Sequence, residues 1–271
     1  MVQYWKQALE TETPLQILGV PNAYTALMAK KAGFQAVYIS GAAVANFLHG
    51  IPDIGLTTLE QVSSEVKRVR SVVDLSILVD CDTGWDNPEY TAKIMQESGA
   101  SAIHIEDQVD KKKCGHLEGK QLVSKEEMVV RLESALKSDL FIIARTDAFT
   151  VEGFEKTQER CLAYQEAGAH AIFAEAFSSL EDYSKLSRSL KIPVLANITE
   201  FGKTPLFTTE ELAKAGVSMI LYPLSIARAM NSAAFGVMCD IRSHGTQKNS
   251  IDIMQNREEL YEFLNYQEDT P

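Results

Sequence analysis

The chain has 271 residues, 45% of them hydrophobic, and its formal net charge at pH 7 is −11. This apolar content suffices for one large core, and the negative charge disfavours nucleic-acid binding because lysines cluster only at residues 111–113. No stretch approaches the roughly 18 consecutive apolar residues of a membrane helix, and residues 1–12 lack a signal-peptide pattern. We therefore expect a single domain over residues 1–271, a cytoplasmic location, and neither a nucleic-acid nor a membrane partner.

Eight short apolar runs follow one another along the chain, and each stops at or just before a polar or acidic residue. An uninterrupted apolar run is typical of a parallel strand that is covered on both faces. The runs comprise residues 17–20, 36–39, 76–79, 102–105, 141–144, 171–174, 193–196 and 218–221.

Helical patterns fill most intervals between these runs, and four of them end at a glycine, namely Gly33, Gly99, Gly168 and Gly216. A glycine at this place favours a turn from the helix back to the sheet. Eight such βα units predict an α/β fold, a single (β/α)₈ TIM-type barrel with additional N- and C-terminal helices. A doubly wound open sheet is the alternative, which the lack of a Gly-x-Gly-x-x-Gly after the first run disfavours.

Two acidic residues, Asp80 and Asp82, follow the third run, where a barrel places its active site. Both carboxylates reach the mouth of the barrel only if the backbone bends, and Gly84 is a plausible position for the bend. Hard oxygen ligands that leave room for water and substrate suit Mg²⁺ or Mn²⁺, and Glu106 after the fourth run is a third candidate acid. The alternative is that a strand-end aspartate caps the next helix.

The segment Lys113-Cys114-Gly115-His116 follows the fourth run. Neighbouring basic groups lower the pKa of a thiol, which favours proton transfer or nucleophilic attack by Cys114. The alternative is an exposed loop cysteine among solubilising lysines. Charge and glycine content within residues 111–119 also predict a lid over the ligand.

Arginines are candidates for binding a substrate carboxylate, because the guanidinium group donates two parallel hydrogen bonds. Arg145 directly follows the fifth run, whereas for Arg228 and Arg257 a surface salt bridge is the alternative. Further polar groups at run ends belong to Ser40, Gly41, Ala42, Asn197 and Thr199.

Neither a lysine at a run end nor a CxxC pair occurs in the sequence. A Schiff-base aldolase therefore has no nucleophile, which leaves metal-assisted carbon–carbon cleavage. Cys161 and Cys239 lie on helical stretches, and we expect both to be small core residues.

Several motifs are similar to those of the isocitrate lyase and phosphoenolpyruvate mutase superfamily. They are the KKCGH segment at residues 112–116, the Asp80-x-Asp82-x-Gly84 pattern, and residues 197–201 (NITEF), 204–209 (TPLFTT) and 222–225 (YPLS). The last three resemble the branch that cleaves 2-methylisocitrate. The superfamily often has glycine at the positions of Ala42, Ala43 and Asp86, differences that bear on substrate fit.

The resemblance implies a homotetrameric carbon–carbon lyase of propionate catabolism that cleaves 2-methylisocitrate, a tricarboxylate, to pyruvate and succinate. It implies Mg²⁺ on Asp80 and Asp82, with Mn²⁺ as a substitute, and Cys114 as the catalytic acid/base. Tyr38 is the candidate base for the substrate hydroxyl. The residues implied to contact substrate are Ser40, Gly41, Ala42, Cys114, Gly115, Arg145, Glu175, Asn197, Thr199, Arg228 and Arg257.

Two other functions remain open at this point. One is a related lyase or hydrolase that acts on isocitrate, oxaloacetate or a dimethylmalate-like acid. The other is a metabolite-binding barrel without activity, which the presence of Asp80, Asp82, Cys114 and His116 disfavours.

Overall fold

A computed structural model describes residues 1–109 and 119–266 of the chain. Its eight strands pair in parallel in chain order, and the last pairs with the first, which closes a barrel. This confirms the predicted (β/α)₈ barrel and excludes the open sheet. The strands are β1 Leu15–Gly19, β2 Ala36–Ile39, β3 Ser76–Asp80, β4 Ala102–Glu106, β5 Phe141–Thr146, β6 Ala171–Ala174, β7 Val194–Asn197 and β8 Met219–Tyr222.

Two strand boundaries differ from the predicted runs in a way that matters for the site. Strand β1 begins at Leu15 because this residue pairs with Met219 of β8. Strand β5 continues through Arg145 and Thr146, since Arg145 pairs with Glu106 on one side and with Phe173 on the other. Arg145 and Thr146 are thus parts of β5, and the alternation of the strand determines which way their side chains point.

The helices lie between and beyond the strands, and most begin at a residue whose side chain caps the helix. Gly33, Gly99, Gly168 and Gly216 have φ of 94°, 98°, 99° and 84°, which confirms the left-handed turns predicted there. The helices are α1 Val2–Thr11, α2 Ala23–Lys31, α3 Gly41–Ala43, α4 Leu59–Arg70, α5 Pro88–Ser98, α6 Lys125–Ala135, α7 Phe149–Glu152, α8 Phe154–Glu166, α9 Leu180–Ser189, α10 Thr209–Lys214, α11 Ser225–His244 and α12 Arg257–Leu264, with a π-helical turn at Val44–Leu48 and a 3-10 helix at Lys248–Ile253.

Side-chain alternation divides the core into two layers. The barrel interior contains Leu15, Ile17 and Phe141, and Trp5 of α1 packs against them. The larger layer lies between the strands and the surrounding helices. Because every second residue of a strand points inward, the same alternation turns Glu106 and Arg145 into the barrel at its carboxyl end.

The two helical cysteines differ in burial. Cys161 on α8 is buried, which confirms the prediction, whereas Cys239 on α11 is exposed, so its assignment to the core was wrong. Phe235 and Met238 of the same helix are also exposed in the described part of the chain. Helical periodicity predicts an apolar face, but it does not show whether another element covers that face. Among residues 1–109 and 119–266, no helix has the length and hydropathy needed to span a bilayer.

Candidate active site

The two aspartates at the end of β3 are buried at the mouth of the barrel. Asp80 accepts hydrogen bonds at Oδ2 from the Gly41 backbone N–H, at 3.1 Å, and from the Tyr38 hydroxyl, at 3.2 Å. Its Oδ1 accepts one from the Asp82 backbone N–H at 3.1 Å. These bonds hold the Asp80 carboxylate in one orientation.

The backbone turns sharply directly after β3. Gly84 has φ of 92°, which confirms the bend predicted there, and Asp82 has φ of 47°, so the turn already begins at Asp82. A left-handed conformation is tolerated by aspartate better than by most residues. A methyl group on Gly41 would lie 3.0 Å from Asp80 Oδ2 and 3.4 Å from Asp82 Oδ1, so both carboxylates face the same stretch of backbone.

This convergence of carboxylate oxygens fits the ligand preference of Mg²⁺, which binds proteins through one or two carboxylates and retains several waters. In the described ranges, no cluster of three or more His, Cys, Asp or Glu side chains has metal-binding geometry. Water and substrate would therefore supply the remaining ligands of an ion held by Asp80 and Asp82.

Tyr38 of β2 lies inside the barrel, and its hydroxyl contacts both Asp80 and His104. Its hydroxyl is 3.0 Å from His104 Nε2, and the two rings stack with centroids 5.8 Å apart. Burial raises the pKa of Tyr38 well above its ordinary value, and the nearby Asp80 carboxylate raises it further. Tyr38 therefore retains its proton at neutral pH. His104 was not recognisable as a site residue from the sequence, because a single histidine within an apolar run gives no chemical signal.

Arg145 is buried in the mouth at the end of β5 and is surrounded by acidic side chains. Its guanidinium lies 3.2 Å from Glu106 Oε2, 3.0 Å from Asp147 Oδ2 and 3.5 Å from Glu175 Oε2. Burial lowers the pKa of Arg145, but Asp147, Glu106 and Glu175 outweigh burial and raise it well above the ordinary value. The ring of Phe173 lies beneath the guanidinium, 5.1 Å away. Arg145 thus lies near the end of a strand, where the sequence predicted it, and its three acidic partners hold its charge inside the mouth.

Amide and hydroxyl groups complete the wall next to Arg145. Asn197 Nδ2 donates to Glu175 Oε2 at 3.1 Å. The Asn197 Oδ1 atom is buried and accepts no hydrogen bond from the described part of the chain, so it is available to a ligand. Ser40 and Thr199 are buried nearby in the same ring of strand ends, and Ser40 Oγ accepts from the Ala43 backbone N–H at 3.4 Å.

Lys120 is a second site residue that was not recognisable from the sequence. Its ammonium group is buried and lies 3.0 Å from Asp147 Oδ1, although the residue is not at the end of a strand. The chain reaches this place through an antiparallel bridge between Gln108 and Leu122. A pairing of this kind forms only in the folded chain, so residue spacing does not predict it.

Acidic side chains outnumber basic ones in this region, which suits a site for a divalent cation because buried charges require neutralisation. The buried carboxylates belong to Asp80, Asp82, Glu106, Asp107, Asp147 and Glu175, and the buried cations to Lys120, Arg145 and Arg160.

The remaining predicted residues are placed as follows. Gly41 is buried and Ala42 half-buried beside the aspartates. Arg228 is exposed near the start of α11, 3.7 Å from Glu200 Oε2 and above the ring of Phe201. Arg257 is exposed at the first position of α12, a helix that packs against α2. Cys114 and Gly115, together with residues 111–118 of the predicted lid, lie outside the described residues.

Arg160 of α8 binds Glu152 in a bidentate pair, with Nε–Oε2 at 2.8 Å and Nη2–Oε1 at 2.9 Å. The hydrogen bonds from Arg160 hold the pKa of Glu152 below its usual value. A lowered folded-state pKa contributes stability above the unfolded pKa, and this contribution is lost as pH falls through the folded pKa.

We expect Glu152→Gln to lower the free energy of unfolding at pH 7 by about 1 kcal/mol, because the pair is partly exposed. The difference from the native protein should shrink as pH falls below about 4, where carboxyls protonate. Urea unfolding at a series of pH values measures this. Glu159→Gln, which removes an exposed partner of Lys156 on the same helix, is the control and should have little effect. An equal loss at every pH would contradict the charge-based explanation.

Comparison with known proteins places the chain in a family. The family model described as phosphoenolpyruvate phosphomutase matches residues 6–241. A 2-methylisocitrate lyase of Salmonella typhimurium is 49% identical over 97% of this chain and 92% of its own length. The crystal structure of 2,3-dimethylmalate lyase has a TM-score of 0.89 at 30% identity and covers 97% of this chain and 90% of that one. A phosphonopyruvate hydrolase complex with oxalate and Mg²⁺, at 24% identity and a TM-score of 0.85, shares the fold over 97% of this chain and 94% of its own.

The chain therefore belongs to the phosphoenolpyruvate mutase and isocitrate lyase family, as its motifs indicated. Curated relatives between 41 and 49% identical to it, from several bacteria and an archaeon, are named 2-methylisocitrate lyase.

Proposed function

We propose that the chain is a carbon–carbon lyase that cleaves 2-methylisocitrate to pyruvate and succinate. The observation that carries the proposal is the arrangement of the barrel mouth, where the carboxylates of Asp80 and Asp82 converge near Gly41 and the buried guanidinium of Arg145 lies at the end of β5. Relatives with this name cover nearly the whole chain, which supports the choice of substrate. The predicted role in propionate catabolism rests on the same activity.

Asp80 and Asp82 would hold Mg²⁺, or Mn²⁺ in its place. When bound, the ion supplies a Lewis acid that polarises the oxygens of an α-hydroxy acid. The protein fixes the position of Asp80 through the N–H groups of Gly41 and Asp82. The hydroxyl of Ser40 and the backbone around Gly41 and Ala42 lie on the same side of the mouth and would bind a substrate carboxylate.

Arg145, Asn197 and Thr199 would bind the succinate half. As the carbon–carbon bond breaks, its electron pair remains on this half as an aci-carboxylate, and preorganised donors in a buried site stabilise such a charge. Asn197 Nδ2 donates to Glu175 Oε2 at 3.1 Å, which orients the amide, and the second N–H of Nδ2 would donate to the succinate half. Arg228 and Arg257 are both exposed. Their predicted binding of a substrate carboxylate therefore remains a prediction.

Tyr38 would receive the proton of the substrate hydroxyl as the carbonyl of pyruvate forms. Because Tyr38 is protonated at neutral pH, it would have to pass on its own proton. Its hydroxyl donates to Asp80 Oδ2 at 3.2 Å and lies 3.0 Å from His104 Nε2, which would accept the proton in the tautomer that carries its hydrogen on Nδ1. Cys114 would then protonate the succinate carbon, and Gly115 would contact substrate. Both assignments rest on the KKCGH motif.

The direct test is release of pyruvate from 2-methylisocitrate by the purified protein, measured with lactate dehydrogenase. We expect one pyruvate and one succinate per substrate with Mg²⁺, and no turnover in excess EDTA until Mg²⁺ or Mn²⁺ is restored. Equal turnover in EDTA would contradict the metal-assisted route. Failure to release pyruvate under any metal condition would contradict the activity itself.

A related specificity is the second candidate, favoured by the likeness to 2,3-dimethylmalate lyase. The groups of the mouth that bind carboxylates suit each of these acids, so the shape of the pocket beyond them would determine which acid is the preferred substrate. Comparing kcat/KM for 2-methylisocitrate, isocitrate, 2,3-dimethylmalate and oxaloacetate separates the candidates. We expect the highest value for 2-methylisocitrate.

We also infer that residues 1–271 form one domain, and that the protein is a cytoplasmic homotetramer. The apolar face of α11 supports assembly, since Phe235 and Met238 are 68% and 63% exposed and large exposed apolar patches mark interfaces. Light scattering after size-exclusion chromatography measures the oligomer. A monomer at micromolar concentration would contradict the tetramer.

A further inference from the structure

A buried polar cluster lies behind the barrel mouth, between strand β5 and helix α8. Its centre is the carboxylate of Asp107, which is 0% exposed. Asp107 Oδ2 accepts hydrogen bonds from the hydroxyls of Thr146, at 2.7 Å, and Tyr164, at 2.9 Å. Arg160 Nη1 lies 3.5 Å from the same oxygen. Two residues of α8 thus bind a carboxylate that follows β4.

The other oxygen of Asp107 binds the chain just beyond β5. Asp107 Oδ1 accepts a hydrogen bond from the Asp147 backbone N–H at 2.9 Å. The Thr146 hydroxyl, which donates to Oδ2, also accepts from the Ala148 backbone N–H at 3.3 Å. The backbone of residues 146–148 is therefore held by one carboxylate, directly and through a hydroxyl.

Asp147 in turn binds two buried basic side chains, those of Arg145 and Lys120. Its Oδ2 accepts from Arg145 Nε at 3.0 Å, and its Oδ1 lies 3.0 Å from Lys120 Nζ. Asp147 is 0% exposed, so water does not replace these bonds. A shift of the Asp147 backbone would move the carboxylate that orients the Arg145 guanidinium.

Packing alone does not explain the cluster. Buried apolar residues would fill the same space without the cost of desolvating charges. Burial raises the pKa of Asp107, and the neighbouring Asp147 raises it further, so the charged cluster is costly to maintain. A satisfied buried network instead specifies one geometry, and the geometry specified here is that of the chain around Arg145.

We propose that Asp107 is a positioning residue for the lyase reaction, which fixes Asp147 and through it the direction of the Arg145 guanidinium. Arg160 and Tyr164 of α8 hold Asp107 in turn. The inference rests on the proposed function, in which Arg145 stabilises the charge that develops on succinate.

The test is Asp107→Asn. The asparagine oxygen still accepts from the Asp147 N–H, but its NH₂ group faces the Thr146, Tyr164 and Arg160 donors. We expect kcat to fall by about 10- to 100-fold, as for other residues that orient a ligand-binding group. The affinity for succinate should fall as well, whereas the Mg²⁺ concentration for half-maximal activity should not change. Unchanged kcat and succinate affinity in a folded variant would overturn the proposal.

Tyr164→Phe is the second variant, since it removes one donor to Asp107 without altering charge or shape. It should lower kcat by a smaller factor in the same direction, and it decides the matter if Asp107→Asn does not fold. Tyr183→Phe is the matched control, because Tyr183 of α9 is equally buried and its hydroxyl makes no hydrogen bond to Asp107. Equal kcat values for the two tyrosine variants would overturn the proposal.

A readout without substrate separates this inference from the proposed activity. Amide hydrogen exchange at residues 145–148 in the ligand-free protein should be faster in Asp107→Asn than in the native protein, and unchanged in Tyr183→Phe. Unchanged exchange in Asp107→Asn overturns the positioning role. Absence of pyruvate release by the native protein contradicts only the proposed function.

Discussion

Asp80→Ala is expected to abolish pyruvate release, even at high Mg²⁺. The substitution removes one of the two carboxylates that lie beside Gly41 in the described part of the chain. An ion that binds through one or two carboxylates loses affinity and position when a carboxylate is lost. The change also leaves the N–H groups of Gly41 and Asp82 without their acceptor, so the turn that carries Asp82 loses its support.

Initial rates across a Mg²⁺ titration measure this effect, and thermal unfolding tests whether the variant folds. Asp74→Ala is the matched control. Asp74 precedes the same strand at its opposite end, and its side chain is 79% exposed in a surface pair with Lys30. We expect the control to retain native kinetics. Activity of Asp80→Ala that returned to the native level at high Mg²⁺ would show that Asp80 has no part in orienting substrate.

Arg145→Lys is expected to cost about 2 to 4 kcal/mol of transition-state stabilisation, the loss typical of one oxyanion donor. The charge remains, but a lysine ammonium is a compact point charge without the planar fork of arginine. In the native chain the guanidinium simultaneously meets Glu106, Asp147 and Glu175. A lysine cannot satisfy these acids and also present two parallel N–H donors to substrate.

Steady-state kinetics show where the loss falls. A contact that tightens in the transition state lowers kcat, whereas a contact that only holds the ground state raises KM. We expect the loss mainly in kcat, because the acids already fix Arg145 before substrate binds. Arg188→Lys, at an exposed position of α9, is the control for the exchange itself. If both variants matched the native protein, Arg145 would lie outside the site.

The barrel and its catalytic end could be predicted from sequence because the relevant signals are local. An apolar run covered on both faces identifies a strand wherever it occurs, and eight runs with helical intervals leave few alternatives to a barrel. The polar residue that ends such a run lies at the carboxyl edge. Asp80 and Arg145 were therefore recognisable as mouth residues, and the family motifs added the chemistry.

The partners of these residues depended on the tertiary structure. His104 and Lys120 carry no local signal, and Asp107 follows the end of a run without any sign of its partners. Each of the three acquires its role from a residue distant in sequence. His104 meets Tyr38 across two strands, and Asp107 meets Tyr164 of α8. The exposure of Cys239 and the left-handed turn at Asp82 were also not visible from periodicity. Hydrogen bonds and desolvation act between atoms that folding brings together. Only the closed barrel therefore determined which of these side chains form ion pairs and hydrogen bonds with one another.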